Sequence, residues 1–388
     1  MENTHTTIFI ESRKKDYVKI LCNLIKAKTV NPPGDEYLAA KIIKKRLSKI
    51  GVKYKVYEKK KKRSNVVAKI GNENGRKILI ATHLDVVPAG EGWETDPFDP
   101  VIKDEIIYGR GACDNKGQAT STLLVLEYLK SIEKKLVNQY IFVFAADEEQ
   151  GSTLGIRYLL RENIIFPDYA IIVDVSGEMK YVTVAEKGVL NLKVNCKGKQ
   201  AHGSTPNKGI SAIANMSKFI SKLDHHILKH ELHRHLSRPT INFGTIKGGS
   251  APNTVAASCE VVLNIRYIPS MNTESIIDEL KKLSERFGEF NFEKLAHLPP
   301  TEVDDNNFLV QTILKVTEKH NLKTKPKGLN GATDTKAFVL NDIPAVGFDF
   351  ADSHVAHNAN EYCKLDMLFN FCDVLIDVCM EFENQRLN

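Results

Sequence analysis

The stretch ILIATHLDVVPAGEGWETDPFDPVIKDEIIYGRGACDNKGQ, residues 78–118, decides how the rest of the chain is read. It opens on an apolar run, ILIAT, suited to a strand buried on both faces of a sheet. The run ends at His83, and Asp85 follows two residues on. Side chains two apart along a strand face the same side, so Asp85 is placed to orient the His83 imidazole and raise its basicity. A second acid, Asp114, stands in a glycine-rich turn that opens a helix, and the only tryptophan, Trp93, lies in the loop between. His83 and Asp114 are candidate metal ligands. Each also has a plainer reading. A lone histidine at a strand end is more often packed than ligating, and aspartate is a favoured helix N-cap.

Outward from this stretch, helical spacing predicts helices over residues 14–27 and 38–50, separated by the breaker NPPGDE. Strands are predicted over 52–57, 65–70 and 77–82, a helix over 119–131, and a strand over 140–145 that runs into Asp147, Glu148 and Glu149. A helix over 153–161 and a strand over 169–173, ending on Asp174, complete an α/β alternation. From about Gly188 the style changes to VLNLKVNC-type alternation, with helices over 211–223 and 273–286 and strands over 240–246, 256–265 and 289–295. That segment reads as an inserted α+β unit. The expected division is a catalytic domain from residues 1–186 and 296–388, with a lid over 187–295. The closing segment reads as a helix over 307–320, the loop GLNGATDT, a strand over 345–348, the loop SHVAHNANEY and a helix over 365–383.

Composition narrows the class. At 388 residues two domains are the default, and 42% hydrophobic with 26% charged residues is ordinary for a globular protein. No apolar run approaches the roughly 20 residues that span a bilayer, and no signal peptide is recognisable. Seven cysteines without a C-x-x-C pair point to reduced thiols and a cytoplasmic setting. Cys372 and Cys379 read as small hydrophobes in a helix. The net charge of +6 is mild, and the basic run at residues 59–63 reads as a solvated hairpin tip, so no nucleic-acid partner and no membrane are expected.

The chemistry lies in joint occurrence. His83, Asp114, Glu149, Asp174 and His357 arrive in order at strand ends or loops on the edge of an α/β sheet where ligands bind. Alone, the Glu148–Glu149 pair also reads as a surface feature; at a buried strand end it asks for a cation. Carboxylates with imidazoles suit divalent zinc, with cobalt or manganese as substitutes. Two metals about 3.5–4 Å apart need a bridging carboxylate. Asp114 is the expected bridge, with His83 and Asp174 completing one site and Glu149 and His357 the other. Lowering the pKa of a bound water from about 15.7 to about 7 makes hydroxide easier to form by about 12 kcal/mol. Glu148, beside a ligand, is then the general base.

With these residues in place, the chain resembles the di-zinc metallopeptidases and deacylases that include acetylornithine deacetylase, succinyl-diaminopimelate desuccinylase, aminoacylase and glutamate carboxypeptidase. The matching stretches are THLDVVP, GRGACDNKG, AADEEQGS, DYAIIVD, GKQAHGSTPNKG, GGSAPNTV, NIRYIPS, NGATDTKAF and AHNANEY. The resemblance implies a three-layer, zinc-peptidase-like α/β catalytic domain with an inserted two-layer, ferredoxin-like lid through which two copies pair. It implies that His202 of the lid stabilises the oxyanion, often in the partner's site, and that Asn253, Arg266, Thr333 and Lys336 hold substrate. Two departures bear on substrate. Lys336 stands where many members have arginine and lacks its bidentate fork. Asp174 stands where desuccinylases have glutamate, as it does in several peptidase members. The bridging motif also departs, reading Asp114-Asn115-Lys116-Gly117-Gln118 in place of Asp-Met-Lys-Gly-Gly. The histidine-rich segment 225–235 has Arg234 where H-E-x-x-H needs its second histidine, and reads as the solvated end of a lid helix, with adventitious metal binding as the alternative.

The expected function is a zinc-dependent amide hydrolase that removes an N-acyl group from an amino acid. The alternative within the family is a dipeptidase or carboxypeptidase acting on a short peptide. The alternative of another class is a non-catalytic binding protein on the same fold.

Overall fold

The computed structural model describes residues 5–174 and 177–385. The chain divides into two compact units, one of residues 1–184, 303–327 and 333–388, the other of residues 185–302 and 328–332.

In the first unit the strands Tyr54–Tyr57, Asn65–Gly71, Gln139–Ala145, Lys77–His83, Tyr169–Ile172, Ala345–Gly347 and Tyr181–Glu186 lie side by side in that order. The middle four run parallel to one another. Alternation along them explains the layers. Ile78, Ile80, Tyr140, Phe142 and Phe144 face one core, together with Leu21, Ile43, Leu123, Leu309 and Leu368 from five helices. Those helices are Lys14–Lys26, Tyr37–Lys49, Lys116–Ser131, Phe308–Lys319 and Leu365–Asn384. Leu79, Ala81, Ile141, Val143 and Ala145 face the other core, against Leu159 of Ile156–Arg161 and Phe338 of Thr335–Val339. The apolar runs ILIAT and YIFVFA therefore need no polar face, because helices cover both sides. Each buried Leu, Ile or Phe contributes about 1.5–3 kcal/mol.

The second unit carries the antiparallel sheet Thr240–Gly248, Ser258–Tyr267, Gly188–Lys197, Glu289–Leu298, in that spatial order. With the helices Ala212–Asp224 and Thr273–Ser284 its chain order is β-α-β-β-α-β, the ferredoxin-like plan expected. Leu190, Leu192, Val194 and Cys196 point into its core, while Val189, Asn191, Lys193 and Asn195 between them do not. Both helices start on a side-chain cap: Ser211 Oγ accepts from Ala214 N at 3.2 Å and Asn272 Oδ1 from Ser275 N at 2.8 Å.

Several expectations are corrected. Residues 225–235 are not helical, since the helix stops at Asp224. Glu279 draws His226 Nε2 to 2.6 Å and the Lys229 amide to 3.1 Å, and Leu228 and Leu236 bury their side chains, so the segment is pinned as irregular chain. The helix expected from residue 119 begins at Lys116. Unanticipated were helix His5–Glu11, strands Tyr181–Glu186, Thr301–Glu302 and Lys325–Leu329, helix Thr335–Val339 and the small sheet of Val101–Lys103, Ile106–Tyr108 and Tyr362–Lys364. The hairpin in that sheet turns on Asp104 and Glu105, both at positive φ (50° and 59°), where Asn-Gly would have been the recognisable signal. Among the described residues, no helix is long and apolar enough to cross a membrane.

A buried ion cluster ties the first unit's helices together. Glu127 accepts from Arg46 Nε at 2.7 Å, Tyr17 Oη at 2.6 Å and Arg13 Nε at 2.8 Å. Breaking a buried pair by removing one partner strands the other charge. Arg46→Ala is therefore expected to cost about 3 kcal/mol, the low end of that effect because Arg13 remains. A urea midpoint indistinguishable from wild type would refute it.

Candidate metal centre

The parallel strands deliver their carboxyl ends to one rim. His83 closes Lys77–His83 and pairs in register with Ala145, after which the chain turns into the short 3-10 turn Glu148–Gln150. The strand Tyr169–Ile172 ends two residues before Asp174. Asp114 comes from the turn before Lys116–Ser131, and His357 from a loop where its φ is 65°. Gly117 lets that turn close: a Cβ there would stand 2.4 Å from the Ala112 carbonyl oxygen.

The five expected ligands meet. His83 Nε2 lies 3.1 Å from Asp114 Oδ1 and 3.8 Å from Asp174 Oδ1. His357 Nε2 lies 3.1 Å from Asp114 Oδ2 and 3.3 Å from Glu149 Oε2. Asp114 thus turns one oxygen to each histidine. Ligand atoms of His83, Asp114 and Glu149, and of His83, Glu148 and Asp174, lie within 4.8 Å of one another. Glu149 Oε1 is buried and has no hydrogen-bond partner among the described residues.

Burial and neighbouring charge pull the site's groups in opposite directions. Burial would push the Asp114 carboxyl up, but hydrogen bonds from His357 and His83 hold it well below the usual range. Asp114 and Glu149 raise His357 to about 10. Burial, then the charge of Asp174, pushes Glu148 well up; burial also raises Glu149, against the pull of His357. More carboxylates converge than the two imidazoles neutralise, and the donors are those that divalent cations take. The residues fit a two-cation centre.

Asp85 serves the site differently from expectation. It lies past the end of the strand, and His83 Nδ1 is 3.0 Å from its backbone oxygen but 3.5 Å from its carboxylate. The carboxylate accepts from the amides of Glu148 and Glu149, each at 3.1 Å, and from Asn31 Nδ2 at 2.8 Å. It fixes the turn that carries the glutamates as well as the imidazole.

Sequence reading missed the supports. Glu361 accepts from the amides of Cys113 at 2.7 Å and Asp114 at 2.9 Å, and from Arg110 Nη1 at 2.6 Å. Asn115, at a position where the motif departs, accepts from His83 N at 3.2 Å and donates to Val173 O at 3.0 Å and Asp174 Oδ1 at 3.1 Å. Asp334 is buried near Asp174 and Asp85; burial pushes its carboxyl up to about 7 against a hydrogen bond from Ser152. Glu361 and Asp334 both sit inside quoted motifs, AHNANEY and NGATDTKAF, which was the one signal available.

The expected substrate residues divide. Thr333 and Lys336 belong to the first unit; Thr333 Oγ1 donates to Thr335 Oγ1 at 2.9 Å, and Lys336 is wholly buried. His202 and Asn253 adjoin in the second unit, where Gly203 N donates to Asn253 O at 2.7 Å, and both are exposed. His202 Nδ1 is 2.8 Å from Ser204 Oγ. Arg266 is near the far end of Ser258–Tyr267, its Nε donating to Asn264 Oδ1 at 3.1 Å. From Ser258, on the His202 side, to Arg266 the strand spans about 27 Å at ~3.4 Å per residue.

Residues 79–381 match the model of peptidase family M20/M25/M40. An uncharacterised metallohydrolase of Methanocaldococcus jannaschii is 30% identical, the alignment covering 94% of this chain and 98% of that one. The acetylornithine deacetylase of Photorhabdus laumondii is 28% identical over 79% of each chain. The crystal structure of aminopeptidase PepT from Bacillus cereus has a TM-score of 0.76 at 21% identity, covering 95% of this chain and 98% of that one. The chain belongs to peptidase family M20/M25/M40 and is a metal-dependent hydrolase of amide bonds.

Proposed function

We propose that this chain removes an N-acyl group from an amino acid with a free carboxylate, using two divalent cations, zinc by the donor set, held by His83 and Asp174 on one side, Glu149 and His357 on the other, and Asp114 between. The observation that carries the reading is the division of Asp114's two oxygens between two histidines. When bound, such cations polarise an amide carbonyl and lower the pKa of water. Glu148 takes the proton of the attacking water at a carboxylate oxygen and gives it to the leaving nitrogen. Asp85 keeps Glu148 and Glu149 in place through their amides. His202 donates to the oxyanion, and Asn253, Arg266, Thr333 and Lys336 orient substrate. The acyl-amino-acid substrate is supported by the deacetylase relative. A dipeptidase or carboxypeptidase reading is favoured by Asp174, the acid that several peptidase members carry. A panel of N-acetyl- and N-succinyl-amino acids against dipeptides, with added zinc or cobalt, separates them. Cleavage of peptides alone would overturn the deacylase reading.

We further propose a homodimer through the second unit. Its edge strand Thr240–Gly248 is open, with Ile246 58% exposed and Ile213 on the adjoining helix 45% exposed. Ser258, on the His202 side of the second unit, and Arg266 lie about 27 Å apart along one strand, a span longer than one small-molecule site, so His202 and Arg266 are assigned to different sites. His202 and Asn253 are accordingly assigned to the partner's site.

Three outcomes are expected. Glu148→Ala keeps its metal and loses about 10²–10⁴-fold in kcat; activity near wild type would exclude Glu148 as the base. Glu361→Ala frees Arg110 and the Asp114 amide, and metal affinity falls about 10–100-fold, read by chelator competition; unchanged affinity would contradict the support assigned to Glu361. Mixing inactive His202→Ala with inactive Glu148→Ala and allowing subunits to exchange restores about a quarter of wild-type activity, because half the dimers are mixed and each has one intact site. A mixture no more active than its parts would contradict the assignment of His202.

A further inference from the structure

The turn that carries Glu148 is held at both ends. Asp147, Gly151 and Ser152 have φ of 69°, 88° and 58°, so left-handed residues bracket Glu148–Gln150. Residues with a Cβ adopt that region at a cost, and they persist there when their surroundings over-determine them. At the leading end the hold is plain. Asp147 Oδ1 accepts from Arg63 Nη2 at 2.9 Å, and Asp85 takes the amides of Glu148 and Glu149.

At the trailing end the Ser152 amide donates to Asp147 O at 2.6 Å and the Leu154 amide to Asp147 Oδ2 at 3.0 Å, which close the turn on itself, while the Ser152 hydroxyl donates to Asp334 Oδ1 and ties it to another segment. Ser152 and Asp334 are both buried, at 3% and 6% exposure. Asp334 occupies the N-cap position of Thr335–Val339, where an aspartate ordinarily accepts from the amides of its own helix, yet it makes no side-chain cap bond. Its side chain is turned to Ser152 instead. Within two residues of it on either side stand Thr333 and Lys336, the first unit's two proposed substrate residues, and Lys336 N donates to Thr333 O at 3.3 Å.

We infer that Asp334, acting through Ser152, is a positioning residue that locks the Glu148 turn to the proposed substrate segment 333–336, so that the base is held in register with the scissile amide. The inference rests on Glu148 being the base. Misplacing a reacting group by a fraction of an ångström is enough to lower turnover. Without the Ser152 hydroxyl, the trailing end of the turn relaxes while Asp85 still holds the Glu149 amide. The loss then falls on kcat, with metal content and KM little changed.

The test compares Ser152→Ala, Asp334→Ala, Asp334→Asn and the Ser152→Ala/Asp334→Ala double variant, with Glu148→Ala in parallel. It reads amide hydrogen exchange over residues 147–152 in the full chain, and kcat and KM on the fastest substrate of the panel. Both alanine singles are expected to exchange faster in the turn and to lose about tenfold in kcat, with KM within about twofold. The double variant is expected to match the singles, because they remove the same bond. Asp334→Asn, which keeps the accepting oxygen, is expected to recover most of kcat. Wild-type exchange and kcat in Ser152→Ala would overturn the inference, as would losses that multiply in the double variant. An inert Glu148→Ala beside an unaltered Ser152→Ala defeats the positioning role alone. An active Glu148→Ala defeats the base and the positioning role together.

Discussion

The first unit is arranged around an electrostatic demand. Asp85, Asp114, Glu148, Glu149 and Asp174 are brought to one rim of a sheet whose interior strands are apolar on both faces. Like charges at such spacing are tolerated only where positive charge answers them. The protein supplies part of the answer through His83 and His357, each 3.1 Å from one oxygen of Asp114. Glu149 Oε1, buried without a hydrogen-bond partner among the described residues, and the carboxyl of Glu148, raised by burial and Asp174, show where that answer is thinnest. The donor set is one that divalent cations take, and the family to which the chain belongs is one of metal-dependent hydrolases.

Around that centre the supporting hydrogen bonds fix the backbone as much as the side chains. Glu361 takes the amides of Cys113 and Asp114, while Asp85 takes those of Glu148 and Glu149. Asn115 reaches from the helix turn to His83 and Asp174, joining two strand ends to the bridging acid. Beneath them, Glu36 holds Arg63 with two bonds of 2.6 Å, and Arg63 in turn reaches Asp147. A carboxylate whose partners are main-chain amides sets the position of a turn without competing for the cation, which is how a dense acidic cluster keeps its geometry.

Much of this was legible in the residues. Buried strands declared themselves because both faces are apolar, and the five ligand-type side chains declared themselves by their joint occurrence, His83, Glu149 and Asp174 at or just after the ends of such strands and Asp114 and His357 in loops. The inserted α+β unit was visible in the clean alternation of VLNLKVNC, while its ferredoxin-like plan came from the family resemblance. What was hidden is physical in origin. The small sheet is built from strands of three residues, too short for a period to show, and its turn uses Asp104 and Glu105. Residues 225–235 followed tertiary contacts of Glu279 in place of helical propensity. Glu361 and Asp334 act through partners far away in sequence, so neither spacing nor local pattern exposes them. Asp85 was placed correctly beside His83, but its main contacts are to a turn some sixty residues on, at Glu148 and Glu149.

The proposed two-cation centre depends on Asp114 as a shared carboxylate. The most direct measurement is the number of zinc ions bound per chain, by elemental analysis after equilibration at a fixed free zinc concentration, for the wild type and for Asp114→Asn. The account predicts two ions in the wild type and at most one in the variant, since a neutral amide cannot neutralise two cations at once. A wild type that saturates with a single ion, or a variant that still holds two, would contradict it.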